Sequence, residues 1–138
     1  MSDLPECIPL VRQWVEKAEE DLRTAEYTLT MPDNCPYATI CFHAQQCVEK
    51  YIKALLVWRS IDFPRIHDIG ELVAILPGDV LLPLSEEEQE ELTDHAVVSR
   101  YPGDWEPVGH SEAEQAVALA RNVREVIRRV LPKEVDDA

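Results

Sequence analysis

Basic residues are the first thing this chain is short of. Only 13 lysines and arginines face 27 acids in 138 residues, a formal charge of −14. That balance argues against broad, nonspecific binding to DNA or RNA, which relies on basic surface to displace counterions. It leaves room for a small local basic site, since the distribution of charge matters more than its sum. Long apolar runs are missing too. None approaches the ~18 residues of a transmembrane helix, so no membrane span is expected. The opening residues, MSDLPECIPLVRQW, carry no basic stretch followed by an apolar one, so no secretory signal is expected and the default location is the cytoplasm. Cys7, Cys35, Cys41 and Cys47 form no Cys-x-x-Cys pair and meet no histidine at zinc-finger spacing. Free structural thiols are the expectation, with no metal and no cofactor. Glycine-rich phosphate loops, Gly-x-Ser-x-Gly elbows and His-Glu-x-x-His sites are absent, and so are the paired Glu-x-x-His motifs of di-iron bundles. Strand-like alternation, internal repeats and low-complexity tracts are absent as well.

What is present is helical. The length suits one domain over residues 1–138, with flexible ends at 1–8 and 132–138, and a hydrophobic content of 46% is enough for a core without disulfides or metal. The stretch YATICFHAQQCVEKYIKALLVW, residues 37–58, organises the rest. At about 100° per residue, Ile40, Cys41, Ala44, Cys47, Val48, Tyr51, Ile52 and Leu55 share one broad arc. Gln46, Glu49, Lys50 and Lys53 lie opposite, with His43 on the border. Two readings of that polar stripe compete: an ordinary solvated helix face, or the wall of a polar groove.

A first helix is expected over about residues 9–29, opened by Pro9 and closed by the breaker cluster Met31-Pro-Asp-Asn-Cys-Pro36. Val11, Trp14, Ala18, Leu22, Ala25 and Leu29 make its core stripe. Glu16, Glu19, Glu20 and Glu26 fall outside that stripe and should be solvated. Asp21 falls inside the apolar arc or on its edge. A carboxylate there needs a partner, for which Lys50, Lys53 or a later arginine would serve. Beyond Pro64, Asp68 is placed to cap a short helix over residues 69–76, and Ser85-Glu-Glu-Glu88 reads as a capping box opening a helix over about residues 86–98. The loop Arg100-Tyr-Pro-Gly-Asp-Trp-Glu-Pro-Val-Gly-His110 is rich in binding-type side chains. Ser111-Glu-Ala-Glu114 reads as a further capping box, opening a last helix that runs to about Leu131. Ala113, Ala116, Val117, Ala120, Val123, Ile127 and Val130 form its core face, with Arg121, Arg124 and Arg128 along one border. The fold expected is all-α, an antiparallel four- to five-helix up-and-down bundle.

The polar residues that could converge are Asp21, Gln46, Glu49, Lys50, Lys53, His67, Arg100 and Tyr101. Simpler roles stand beside each: an interhelical salt bridge for Asp21, a capping or loop-fixing role for His67, a loop tie for Arg100. Four stretches in order, AEEDLRTAEYTL (residues 18–29), YATICFHAQQCVEKYIKALL (37–56), Ile66-His67-Asp68-Ile69 and Ser99-Arg-Tyr-Pro102, resemble the HEPN domain family over nearly the whole chain. The portion Gln-x-x-Glu-Lys-x-x-Lys-Ala-Leu-Leu is the most specific.

That resemblance implies a helical bundle that often dimerises, and a role tied to nucleotides or RNA, frequently beside a small nucleotidyltransferase. Many relatives are metal-independent ribonucleases acting as toxins, which use an Arg, four to six intervening residues and a His. Here the nearest pair, Arg100 and His110, is separated by nine residues. If the chain cleaves RNA, His110 is the expected acid/base and Arg100 the electrostatic clamp. The alternatives are a non-catalytic nucleotide- or partner-binding module, in which Lys50, Lys53 and Arg100 hold phosphates beside Tyr101, and a purely structural helical interaction protein.

Overall fold

In the computed structural model, residues 4–96 and 107–136 are described. Three long helices dominate: α1 (Leu4–Thr28), α2 (Tyr37–Trp58) and α5 (His110–Val130). Two short ones, α3 (Ile69–Ala74) and α4 (Glu86–Asp94), lie between α2 and α5, and a 3-10 turn, Lys133–Val135, follows. No strand occurs among the described residues. The all-α bundle is therefore as expected, although only three legs are long.

The second helix sits at the centre because it is apolar around most of its circumference. Every residue of its predicted arc is buried, and Ala54 and Leu56 beyond that arc are buried too. Packing against α1 covers one side and α5 another, and α3 and α4 also lie against it. Cross-helix contacts fix the directions. Asp21 meets Lys50 and Glu19 meets Tyr51, so α1 and α2 are antiparallel. Tyr37 packs edge-on against His110 and Tyr51 meets Arg128, so α5 runs parallel to α2, as an up-and-down path requires.

Helix ends follow local chemistry, with some differences from the sequence reading. Pro9 does not open α1; it lies inside a helix that starts at Leu4, and Ile8 just before it is buried in the core. Asp68 caps α3 through the Glu71 amide, and Ser85 and Glu88 form the reciprocal box at α4. At α5 the cap is shifted: the Glu112 carboxylate reaches back to the Gly109 amide, so the helix begins at His110 and Ser111 is already inside it. Val130, expected in the core, is exposed at the end of α5, where Leu131 turns inward instead. Residues 97–98, placed by the sequence in the fourth helix, lie outside the described residues.

The second helix closes on a paired carbonyl motif. Ser60 N–H donates to the Val57 carbonyl and Ile61 N–H to the Leu56 carbonyl. Ser60 holds a φ of 58°, the left-handed position where glycine usually sits. This reversal sends residues 61–68 back along α2, which is how His67 comes to lie over Glu49. The tail also docks: Arg12 donates to the Glu134 carbonyl, Arg128 pairs with Asp136, and Val135 is buried.

Candidate functional site

Two charged triads of the same design line the outer edge of α2. In the first, Asp21 from α1 accepts at both oxygens. Its Oδ1 lies 2.8 Å from His43 Nδ1 and its Oδ2 accepts from Lys50 Nζ at 2.7 Å. In the second, Glu49 Oε1 lies 2.9 Å from His67 Nδ1, while Oε2 accepts from Lys53 Nζ at 2.9 Å. Each carboxylate therefore bridges one imidazole and one ammonium, and both are buried. Asp21 thus has the partner its position on the apolar arc demanded.

The second triad is the more enclosed. Burial alone would push the Glu49 carboxyl up, but hydrogen bonds from Lys53, His67 and Gln45 outweigh it and hold the group below the ordinary carboxylate range. Lys53 is only 7% exposed, and its ammonium also sits 5.6 Å from the Trp14 ring centre and 5.7 Å from that of Phe63. Gln45, fully buried, joins the parts. Its Nε2 donates to Glu49 Oε1 at 3.0 Å and to the His67 carbonyl at 3.3 Å, and its Oε1 accepts from Gln46 Nε2 at 2.7 Å. Among the described residues, no buried side-chain nitrogen or oxygen lacks a partner.

Placed against the expectations, Asp21, Gln46, Glu49, Lys50, Lys53 and His67 fall along one edge formed by α1, α2 and the 61–68 segment. They do not form an exposed cation patch, however. Lys53 is enclosed and paired with Glu49, whereas Lys50, 23% exposed, is paired with Asp21 and keeps N–H donors for a further contact. His67 combines an anchored Nδ1 with a ring that is 68% exposed. His110 stands apart at the start of α5, over half exposed, with Nδ1 3.3 Å from Glu114. Arg100 and Tyr101 lie outside the described residues, so the Arg100–His110 pairing does too. Among the described residues, no group of three or more His, Cys, Asp or Glu is arranged to hold a metal. No described helix is long and apolar enough to cross a membrane.

Sequence reasoning passed over Gln45, whose signal was the same as Asp21's: a polar residue at the edge of an apolar arc. It also treated Glu19 as solvated. Glu19 instead accepts from Arg124 at 2.6 Å and from the buried Tyr51 hydroxyl, with Arg128 beyond. Burial raises the Glu19 carboxyl, but the bonds from Arg124 and Tyr51 lower it below its usual range. The same burial, with Glu19 next to it, drives the Tyr51 hydroxyl well up. Cys41 and Cys47 are buried and protonated, Cys41 pushed up to about 12 chiefly by burial, which fits structural thiols.

Comparison with known proteins bears on the fold and the family. A protein of Methanocaldococcus jannaschii named "Putative toxin MJ1304" is 31% identical over 140 residues, covering 90% of each chain. The crystal structure of TT1696 from Thermus thermophilus superposes with a TM-score of 0.71 at 34% identity, covering 88% of this chain and 98% of that one. The structure of ST0689, described as an archaeal HEPN homologue, gives 0.65 at 27% identity, covering 86% and 95%. Residues 11–130, which hold most of all three long helices and both triads, match the HEPN domain family, and the chain belongs to it.

Proposed function

We propose that this chain is a non-catalytic HEPN module that binds a nucleotide at the outer edge of α2, with Arg100 and Tyr101 as further ligand contacts. One observation carries the reading: two carboxylates, each buried, are each shared between an imidazole and an ammonium on the same edge. Stability alone gives little reason for this, because a buried ion pair is often no better than apolar side chains of equal volume. A prepared binding surface does give a reason, since it needs polar groups held in fixed orientations. An acidic protein can carry such a small site. A second copy of the chain and a nucleotidyltransferase are the partners this reading expects, the site working without catalysis of its own.

Calorimetry with ATP and GTP tests it. Binding in the micromolar to millimolar range is expected, weakened several-fold or more by Arg100→Ala and by Lys50→Gln, which keeps a donor for Asp21. No binding at millimolar nucleotide sinks the reading. Light scattering at high concentration should give twice the 15.8 kDa chain mass.

The likeness to a relative named as a toxin favours one second reading, metal-independent cleavage of RNA. Arg100 would be the clamp and His110 the acid/base. Incubation with RNA in EDTA should then give cleavage that both Arg100→Ala and His110→Ala abolish. An inactive wild-type protein retires this version.

A further inference from the structure

Between α1 and α5 lies a groove of about 460 Å³, a volume that suits a small ligand. The buried Leu22 belongs to its wall, and charged side chains of the two helices supply the rest. None of them belongs to the α2-edge triads. Arg124 Nε donates to Glu19 at 2.6 Å and Arg121 Nε to Glu26 at 2.5 Å, so two ion pairs span the gap. Glu19 and Glu26 are two turns apart on one face of α1, and Arg23 falls between them on that face. Arg23 lines the groove with the two α5 arginines, yet neither carboxylate takes it. It makes no ion pair or hydrogen bond among the described residues.

Stability accounts poorly for this arrangement. The guanidinium side chains of Arg121 and Arg124 are 57% and 38% exposed, and ion pairs so open to water add little. An unpaired third arginine adds only repulsion. The two pairs also leave donors over: of the five N–H groups of Arg121, only that on Nε meets an acceptor among the described residues. Glu19 and Glu26 therefore hold the α5 guanidiniums in place without exhausting them. Arg128 and Arg129 stand close behind, at Tyr51 and at Glu125 of the groove wall. Arginines thus gather here in a chain whose acids outnumber its bases two to one. Attraction of an anion follows that local distribution. A long polyanion would run on to acidic surface, whereas a compact one needs only this spot.

We propose that the α1–α5 groove binds a compact phosphate anion, free or as the end of a small ester, held by Arg23 together with the spare N–H groups of Arg121 and Arg124. The planar forks of these side chains match phosphate oxygens, and Leu22 offers apolar surface to whatever the phosphate carries. The groove shares no residue with the α2-edge nucleotide reading, and each stands or falls without the other.

Calorimetry with inorganic pyrophosphate, with glycerol 3-phosphate as the ester, tests it. Millimolar or tighter binding of at least one is expected, weakening with added sodium chloride. Arg23→Gln is the decisive variant, because it removes a charge that bonds to no described residue and so leaves the fold intact. Affinity should fall about tenfold, the loss of a charge-assisted bond. Glu26→Gln keeps an acceptor for Arg121 but removes a nearby negative charge, so it should bind several-fold more tightly. A role confined to structure would not give these opposite signs. No binding of either probe at 10 mM overturns the proposal, and so does an Arg23→Gln protein that binds like the wild type. Binding lost in Lys50→Gln and kept in Arg23→Gln places the anion at the α2 edge instead, and overturns it too.

Discussion

Replacing Glu49 by leucine asks directly whether the α2 edge is enclosed. The substitution nearly conserves volume but leaves the Lys53 ammonium, 7% exposed, without its carboxylate. Breaking a buried pair by removing one partner costs about 3–5 kcal/mol. The Trp14 and Phe63 faces still hold the cation and return about 1 kcal/mol, and the lysine stem allows some escape toward water. A net loss of about 3 kcal/mol is expected, or about 10 °C in midpoint for a chain of this size. Gln45 keeps the His67 carbonyl as an acceptor, so it adds little to the loss. Urea denaturation followed by circular dichroism measures this, with an unchanged slope marking a pure stability effect. Glu49→Leu combined with Lys53→Met should return to within about 1 kcal/mol of wild type, because removing both charges removes the uncompensated one. A single variant losing under about 1 kcal/mol, or a double variant as unstable as the single, refutes the enclosed pair.

Acid should weaken the fold through Glu19 and Glu49. Both carboxyls lie below the ordinary value of 4.5 in the folded chain. Their contribution is therefore complete above the unfolded-chain value and is lost as pH falls through the folded ones. The urea midpoint should drop steadily below about pH 4.5, and less steeply in the Glu49→Leu/Lys53→Met variant; equal slopes would contradict the assignment to Glu49. At the end of α2, Ser60→Gly relieves a left-handed backbone at the cost of a looser unfolded chain. It should raise stability by about 0.5 kcal/mol in the same assay, whereas a loss would show that Ser60 is not strained there.

Periodicity could find the core arc of α2, the caps at Asp68 and Ser85, and the buried position of Asp21, because each depends on residues within a turn or two. It could not decide between a solvated stripe and a lined groove for Glu49 and Lys53. That depended on the reversal at Ser60 and on where the returning 61–68 segment lands, which no single-helix pattern contains. Glu19 was misread for a similar reason. Its place on the flank of α1 looks solvent-facing until Tyr51 and Arg124 arrive from two other helices. At α5 the error was local: a glycine can take the cap position, and Glu112 reaches its amide as readily as a serine-opened box would. Gln45 was legible in principle: it is the polar residue nearest the apolar arc, and it needs a partner for the same reason as Asp21.

Stability and orientation can be separated at Glu49, and doing so tests why the charges are there. Leucine and methionine in place of Glu49 and Lys53 would fill the same volume at little cost. What they cannot do is accept the proton on His67 Nδ1. Without that acceptor, the His67 ring is free to change tautomer and direction, and Gln45 loses one of the two groups that orient it. The double variant should therefore melt near wild type, yet show a mobile His67 ring by NMR. If it folds and the His67 ring stays as ordered as in the wild type, the buried carboxylate does not aim the imidazole, and the ion pair on this edge is packing alone.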